Sequence, residues 1–295
     1  MAAQIAGQMS AGKATRAGDK RFHGHSILKA MDLSVVMAVY NQAETLNSAV
    51  KSILEQSFAD FELVIVDDHS TDETPRLLSE WRQKDKRIKV ISNSRHLGLT
   101  KSLNLGLKQV KTKLIARMDA DDIALPERLK RQRDYLLSHP KIGLLGTAVR
   151  LIDETGKFLK VKQLPASPEK LRQSILSACP FVHPTWMFRK SVLVEVGDYN
   201  EAFPYAQDYD LALRITARFS CANLLDPLLS YRVNSASAIS LKHLKQQEWL
   251  ALRARFLVLS QYGYSITESW RLIKPLLSFL VPAGIKKLVY ARFYW

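Results

Sequence analysis

Between Leu33 and Met118 the chain repeats one pattern, a short unbroken run of apolar residues followed by a polar cluster and an amphipathic stretch. The runs are Leu33–Tyr40, Phe61–Val66, Arg87–Ile91 and Leu114–Met118. Leu33–Tyr40 is continuous and rich in β-branched residues, so it reads as a strand buried on both faces, as a parallel sheet requires, and the other three read as further strands. Between them, Leu46, Val50, Ile53 and Leu54 recur at helical spacing, Leu77, Leu78 and Trp81 do the same, and Leu97–Val110 reads as a third helix. Strands alternating with helices at this pitch predict βαβ units and an α/β, doubly wound sheet. Further on, a helix is expected from Pro126 and a strand over Gly143–Ile152 with a hairpin turn at Asp153–Gly156. Ala206–Asp210 then opens another helix through Leu211, Leu213 and Ile215.

A doubly wound sheet binds ligands at the carboxyl ends of its strands. Four polar clusters fall there: Tyr40-Asn41, Asp67-Asp68, Asn93–Gly98 and Asp119–Asp122. The first strand is not followed by Gly-x-Gly-x-x-Gly, and the chain holds no Gly-x-x-x-x-Gly-Lys-Ser/Thr, so neither dinucleotide-binding nor P-loop chemistry is supported. The segment Met118-Asp119-Ala120-Asp121-Asp122 delivers three carboxylates into one loop. Carboxylates this close repel one another, and a hard cation such as Mg²⁺ or Mn²⁺ resolves the repulsion while bridging to a phosphate. A solvated acidic turn that caps the following helix is the competing reading.

Apolar residues make up 47% of the 295 and charged residues 24%, which suits a globular body. The only cysteines, Cys179 and Cys221, form neither a disulfide framework nor a zinc pattern, so a reducing, cytoplasmic setting is expected. A net charge of +15 calls for an anionic partner: a nucleotide, nucleic acid or an acidic membrane surface. Residues 1–30 are basic and lack the apolar core of a secretory signal, so a disordered tail is expected there. No apolar run is long enough to span a bilayer.

Four stretches together resemble family 2 of the inverting, GT-A-fold glycosyltransferases: Ser34–Asn41, Val64–Asp72, Arg117–Asp122 and Gln207–Arg214. The likeness spans roughly residues 31 to 235 and implies a nucleotide-binding half, 31–125, and an acceptor half, 126–235. It further implies transfer of a sugar from a nucleotide-diphosphate donor, of UDP type, to a saccharide or lipid-linked saccharide in surface polysaccharide or glycolipid synthesis. By the resemblance, Ala38, Tyr40 and Glu44 wall the nucleotide pocket, Asp68 meets the base with Asp67 beside it, and Arg95 adds a nearby cation. Asp119 and Asp121 match the family's Asp-x-Asp, with Asp121 on the metal (Mg²⁺ or Mn²⁺) and Asp119 at the ribose or metal shell.

Asp208 corresponds to the family's general base, with Asp210 as the fallback; Gln207 stands where a Glu is common. Phe181–Arg189 resembles the family's His-Pro-x-x-x-Phe-Arg strand, which implies a strand on the acceptor face, and within it His183, before Pro184, reads first as structural and second as catalytic. Leu228–Ser237 resembles a segment that closes over the diphosphate, which makes Arg232 a candidate contact. Asn234 replaces a histidine there, so a further protein ligand to the metal is in doubt.

From Leu241 onward, nine basic residues face only Glu248 and Glu268 and are interleaved with apolar and aromatic side chains at helical spacing. The extension 236–295 therefore reads either as an interfacial helix on an anionic leaflet or as a helical cap on the catalytic domain. Two other functions compete. A sugar-phosphate nucleotidyltransferase lacks its Gly- and Lys/Arg-rich loop here, and a basic nucleic-acid-binding protein lacks any recognised motif.

Overall fold

The computed structural model describes residues 32–233, 243–262, 264 and 266–286. Expectations about the tail 1–30, about Asn234 and about the last aromatic residues lie outside them. The first half builds β1 (Leu33–Val39), α1 (Ala43–Leu54), β2 (Phe61–Asp67), α2 (Thr74–Lys84), β3 (Ile88–Ser92), α3 (Leu99–Gln109) and β4 (Leu114–Asp119). Every residue of β1 and β2 is buried, as their unbroken apolar runs demand.

Side chains alternate across a strand, so β1 feeds two cores. Val36 and Ala38 share a core with Leu103, Leu107, Leu171, Leu193 and Leu211, while Leu33, Val35, Met37 and Val39 pack with α1 and its neighbours. Gly106 lets α3 sit directly on the sheet, because a Cβ there would lie 2.7 Å from Val36 Cγ1.

Downstream come β5 (Ile123–Ala124), α4 (Arg128–Ser138), β6 (Ile142–Ile152), β7 (Phe158–Lys162), α5 (Pro168–Ser174), β8 (Met187–Arg189), α6 (Lys190–Val196), α7 (Gln207–Arg218) and β9 (Ser220–Arg232). The strands join one mixed nine-stranded sheet, ordered β3-β2-β1-β4-β8-β6-β9-β5, with β7 hydrogen-bonded to β6. The α/β sheet expected from the sequence is thus present. β1 runs parallel to β2 on one side and to β4 on the other. The winding reverses between β1 and β4, and their carboxyl ends, Val39 and Asp119, bound a crevice.

Two local expectations change. Phe181–Arg189 is not one strand: His183–Thr185 form a 3₁₀ turn and only Met187–Arg189 pair in the sheet. Pro184 has no N–H to give a ladder, and Thr185 N instead closes a turn onto Val182 O at 2.9 Å. The helix expected from Pro126 starts at Arg128, because Ile123 and Ala124 first pair antiparallel with β9. Gln56 braces that junction, donating to Leu125 O at 2.8 Å and accepting from Leu129 N at 2.9 Å.

The helix Leu244–Gln261 packs on α7. Arg255 anchors it, donating from Nε to Leu176 O at 2.8 Å with its guanidinium over the Tyr209 ring. A shorter helix, Ile273–Leu280, follows. No helix among the described residues is long and apolar enough to cross a membrane.

The close approach at Gly106 makes a stability prediction. Gly106→Val should cost at least about 2 kcal/mol, because neither Val36 nor Val66 has room to retreat. Urea denaturation followed by circular dichroism measures it.

Candidate active site

β4 ends on Asp119, and the loop to β5 carries Asp121 and Asp122. The three carboxylates come together, each offering an oxygen within 4.8 Å of the others. Asp122 is fully buried; its Oδ1 accepts from Arg232 N at 2.8 Å and its Oδ2 has no partner. Burial pushes the Asp122 carboxyl well above the usual range, and the charges of Asp121 and Asp119 add to the effect. Burial, then the Asp119 charge, raises Asp121 to about 6.

Three carboxylates this close repel one another. Hard oxygen donors and an orphaned buried carboxylate oxygen fit Mg²⁺ or Mn²⁺, and they extend the Asp119–Asp121 pair named from the sequence to include Asp122.

Two arginines build the floor. Arg117, on β4 and buried, forms an ion pair through Nη2 with Asp119, while its Nε and Nη1 have no hydrogen-bond partner. Arg128, also fully buried, donates to Arg117 O at 2.6 Å, and burial lowers its pKa to about 9. Sequence reasoning passed over both as functional residues. The one signal was Arg117 two positions before Asp119, on the same face of a strand.

Arg232, at the end of β9, is bonded to the acidic loop. Its Nε donates to Asp121 O at 2.9 Å and its Nη1 to Asp153 O and Glu154 O at 3.0 and 2.6 Å. These bonds staple the acidic loop to the β6–β7 turn.

At the neighbouring strand end, Asp68 is buried and saturated. Its Oδ1 accepts from Asn93 Nδ2 and Leu97 N at 2.7 and 2.8 Å, and its Oδ2 accepts from Gly98 N at 2.8 Å and lies 2.9 Å from His96 Nδ1. The carboxylate thus holds the β3–α3 loop in place. Asp67, also buried, accepts from Ser70 N at 3.1 Å. Ala38 is buried in the floor of β1, whereas Tyr40 is exposed with its ring 4.1 Å from that of His96. Glu44 in the first turn of α1 and Arg95 in the β3–α3 loop are exposed.

Asp208 lies in the first turn of α7, where the positive end of the helix dipole favours a carboxylate. Burial raises its pKa, the Tyr209 N–H and the Arg117 charge oppose that rise, and the Asp119 charge adds to it. Asp208 therefore lies within electrostatic reach of the Arg117–Asp119 pair. Asp210 is bound to Arg214, whose Nε and Nη2 reach its Oδ2 at 2.9 and 2.7 Å, so the fallback carboxylate is consumed. His183 is buried, shares a 2.7 Å hydrogen bond with the Tyr199 hydroxyl, and is driven by burial well below its usual pKa. It stays neutral and structural.

The sequence model described as "Glycosyl transferase family 2" matches residues 34–197. The chain is 35% identical to the O-antigen biosynthesis glycosyltransferase WbnJ of Escherichia coli over 216 residues, 71% of this chain and 83% of that protein. It is 31% identical to the amylovoran biosynthesis glycosyltransferase AmsE of Erwinia amylovora over 268 residues, 88% and 98% of the two chains. Among solved structures, S. aureus TarS 1-349 in complex with UDP-GlcNAc aligns with TM-score 0.65 at 21% identity, covering 83% of this chain and 72% of that one. The mannosyltransferase PcManGT of Pyrobaculum calidifontis, in complex with GDP-Man and Mn²⁺, aligns with TM-score 0.62 at 18% identity over 88% and 75%. The chain belongs to glycosyl transferase family 2, with the GT-A fold, and it is a glycosyltransferase. That membership displaces the nucleotidyltransferase and nucleic-acid-binding alternatives.

The raised pKa of Asp121 sets a pH dependence. Above about 6 its carboxylate is free to ligate, and below it a proton competes, so Mn²⁺ affinity should rise with pH through that value. Calorimetric titration with Mn²⁺ on either side of the transition measures the change.

Proposed function

We propose that this chain transfers a sugar, with inversion at C1, from a UDP-type donor to a saccharide or lipid-linked saccharide in surface polysaccharide or glycolipid synthesis. The observation that carries the reading is the cluster at the end of β4, where Asp119, Asp121 and Asp122 each offer an oxygen within 4.8 Å of the others. WbnJ and AmsE are named for O-antigen and amylovoran biosynthesis, and TarS and PcManGT were solved with UDP-GlcNAc and with GDP-Man and Mn²⁺, which supports the donor and product classes. The catalytic domain in this reading spans 31–235, with the nucleotide half to 125 and the acceptor half beyond it.

Asp119 and Asp121, with the free oxygen of Asp122 beside them, would hold Mg²⁺ or Mn²⁺. When bound, the ion offsets the negative charge of the donor's diphosphate. Tyr40 and His96 offer exposed rings against which the nucleobase stacks, with Asp67, Glu44 and Arg95 around them. Asp68 keeps the β3–α3 loop against that pocket, and Arg232 keeps the acidic loop closed on β9.

On the acceptor side, Asp208 takes the proton of the attacking hydroxyl as its oxygen bonds to C1. The bond from C1 to the diphosphate breaks on the opposite face, and the electron pair leaves with the nucleotide. Arg117 supports the ionised Asp208 from the floor of the cleft.

Two variants separate binding from chemistry. Asp121→Ala should abolish metal-dependent UDP binding by calorimetry. Asp208→Asn should keep that binding and lower turnover by about 10²–10⁴-fold. Unchanged turnover in the second removes Asp208 as base, and proton NMR of the product's anomeric coupling tests inversion.

A further inference from the structure

The helix Ile273–Leu280 turns one entire face to solvent. Ile273, Leu276, Leu277 and Leu280, spaced i, i+3, i+4 and i+7, are 57, 40, 60 and 76% exposed. Trp270 just before it is 63% exposed, and Trp249 of the preceding helix is 59% exposed, its ring 6.4 Å from that of Phe279. Single exposed apolar residues are ordinary on a protein surface, but a contiguous stripe with two indoles at its margin marks an interaction face.

The charge beside the stripe identifies what covers it. Lys274 is exposed on the same helix, the Arg271 guanidinium lies over the Trp270 ring, and no acidic residue occurs between Trp270 and Lys286. A second copy docked face to face would bring Lys274 and Arg271 against themselves. The helix, eight residues long, is also short for the roughly 800 Å² per partner of a stable dimer. An anionic leaflet satisfies both parts: aliphatic side chains enter the acyl boundary, indoles stay at the headgroups, and the cations meet lipid phosphates.

We propose that the face formed by Trp249, Trp270, Ile273, Leu276, Leu277 and Leu280 seats the protein on an anionic membrane surface. The seat is held to the catalytic body. Lys245 Nζ donates to Phe279 O and Val281 O at 2.5 and 2.8 Å, Arg271 donates to Gln173 O, and the Thr216 and Tyr264 hydroxyls pair at 2.9 Å. Membrane seating stands independently of the transferase reading.

The test is flotation of the full chain with vesicles of phosphatidylcholine, alone or mixed with phosphatidylglycerol, at low and high salt. The chain should float with the mixed vesicles, less so in high salt. Leu277→Glu combined with Leu280→Glu should lower that binding at least about tenfold. UDP–Mn²⁺ calorimetry on both proteins reports on the fold and on the transferase reading separately, and equal binding in the two shows that the variant is intact. Equal flotation of the two proteins, or none of either, overturns the proposal. So does a light-scattering dimer that the variant dissolves without any vesicle binding, since it assigns the face to a second copy.

Discussion

The carboxyl end of β4 carries the electrostatic problem around which the molecule is built. Asp119, Asp121 and Asp122 converge there, two of them with pKa values raised by burial and mutual repulsion, over a floor of two buried guanidiniums. Arg117 neutralises part of Asp119 and leaves two of its own nitrogens unpaired. An uncompensated charge assembly in a low dielectric is expensive, and the oxygen donors of the cluster fit a hard divalent cation. The charges of Arg117 and Asp119 also bear on Asp208 in the first turn of α7.

The cluster depends on contacts between distant parts of the chain. Arg232, at the end of β9, ties Asp121, Asp122 and the β6–β7 turn into one unit. Arg214 takes up Asp210 and donates to the Val196, Gly197 and Asp198 carbonyls, which holds the start of α7 against the loop after α6. Asp210 is thereby taken up within α7, whereas Asp122 keeps one oxygen without a partner.

Much of this was legible in the sequence. Unbroken apolar runs at β1, β2 and β4 can be satisfied only inside a parallel sheet, and polar residues at their ends collect at one edge. The Asp-x-Asp stretch could be picked out because repelling carboxylates are a local signal, while Gln207-Asp208 was singled out by the family resemblance. For Phe181–Arg189 the resemblance implied one strand, whereas Pro184 sits in a turn and only Met187–Arg189 pair in the sheet.

The order of strands, the metal-type loop and the first turn of α7 follow from residue type and spacing, since burial, repulsion and backbone donors act over a few residues. Which carboxylate is open and which is spent was settled only when the chain closed on itself. Asp68 meets donors 25 to 30 positions away, and Asp122 meets the backbone of a residue 110 positions away. Hydrogen bonds reach about 3 Å, so such pairings exist only in the packed fold and leave no periodic trace along the chain.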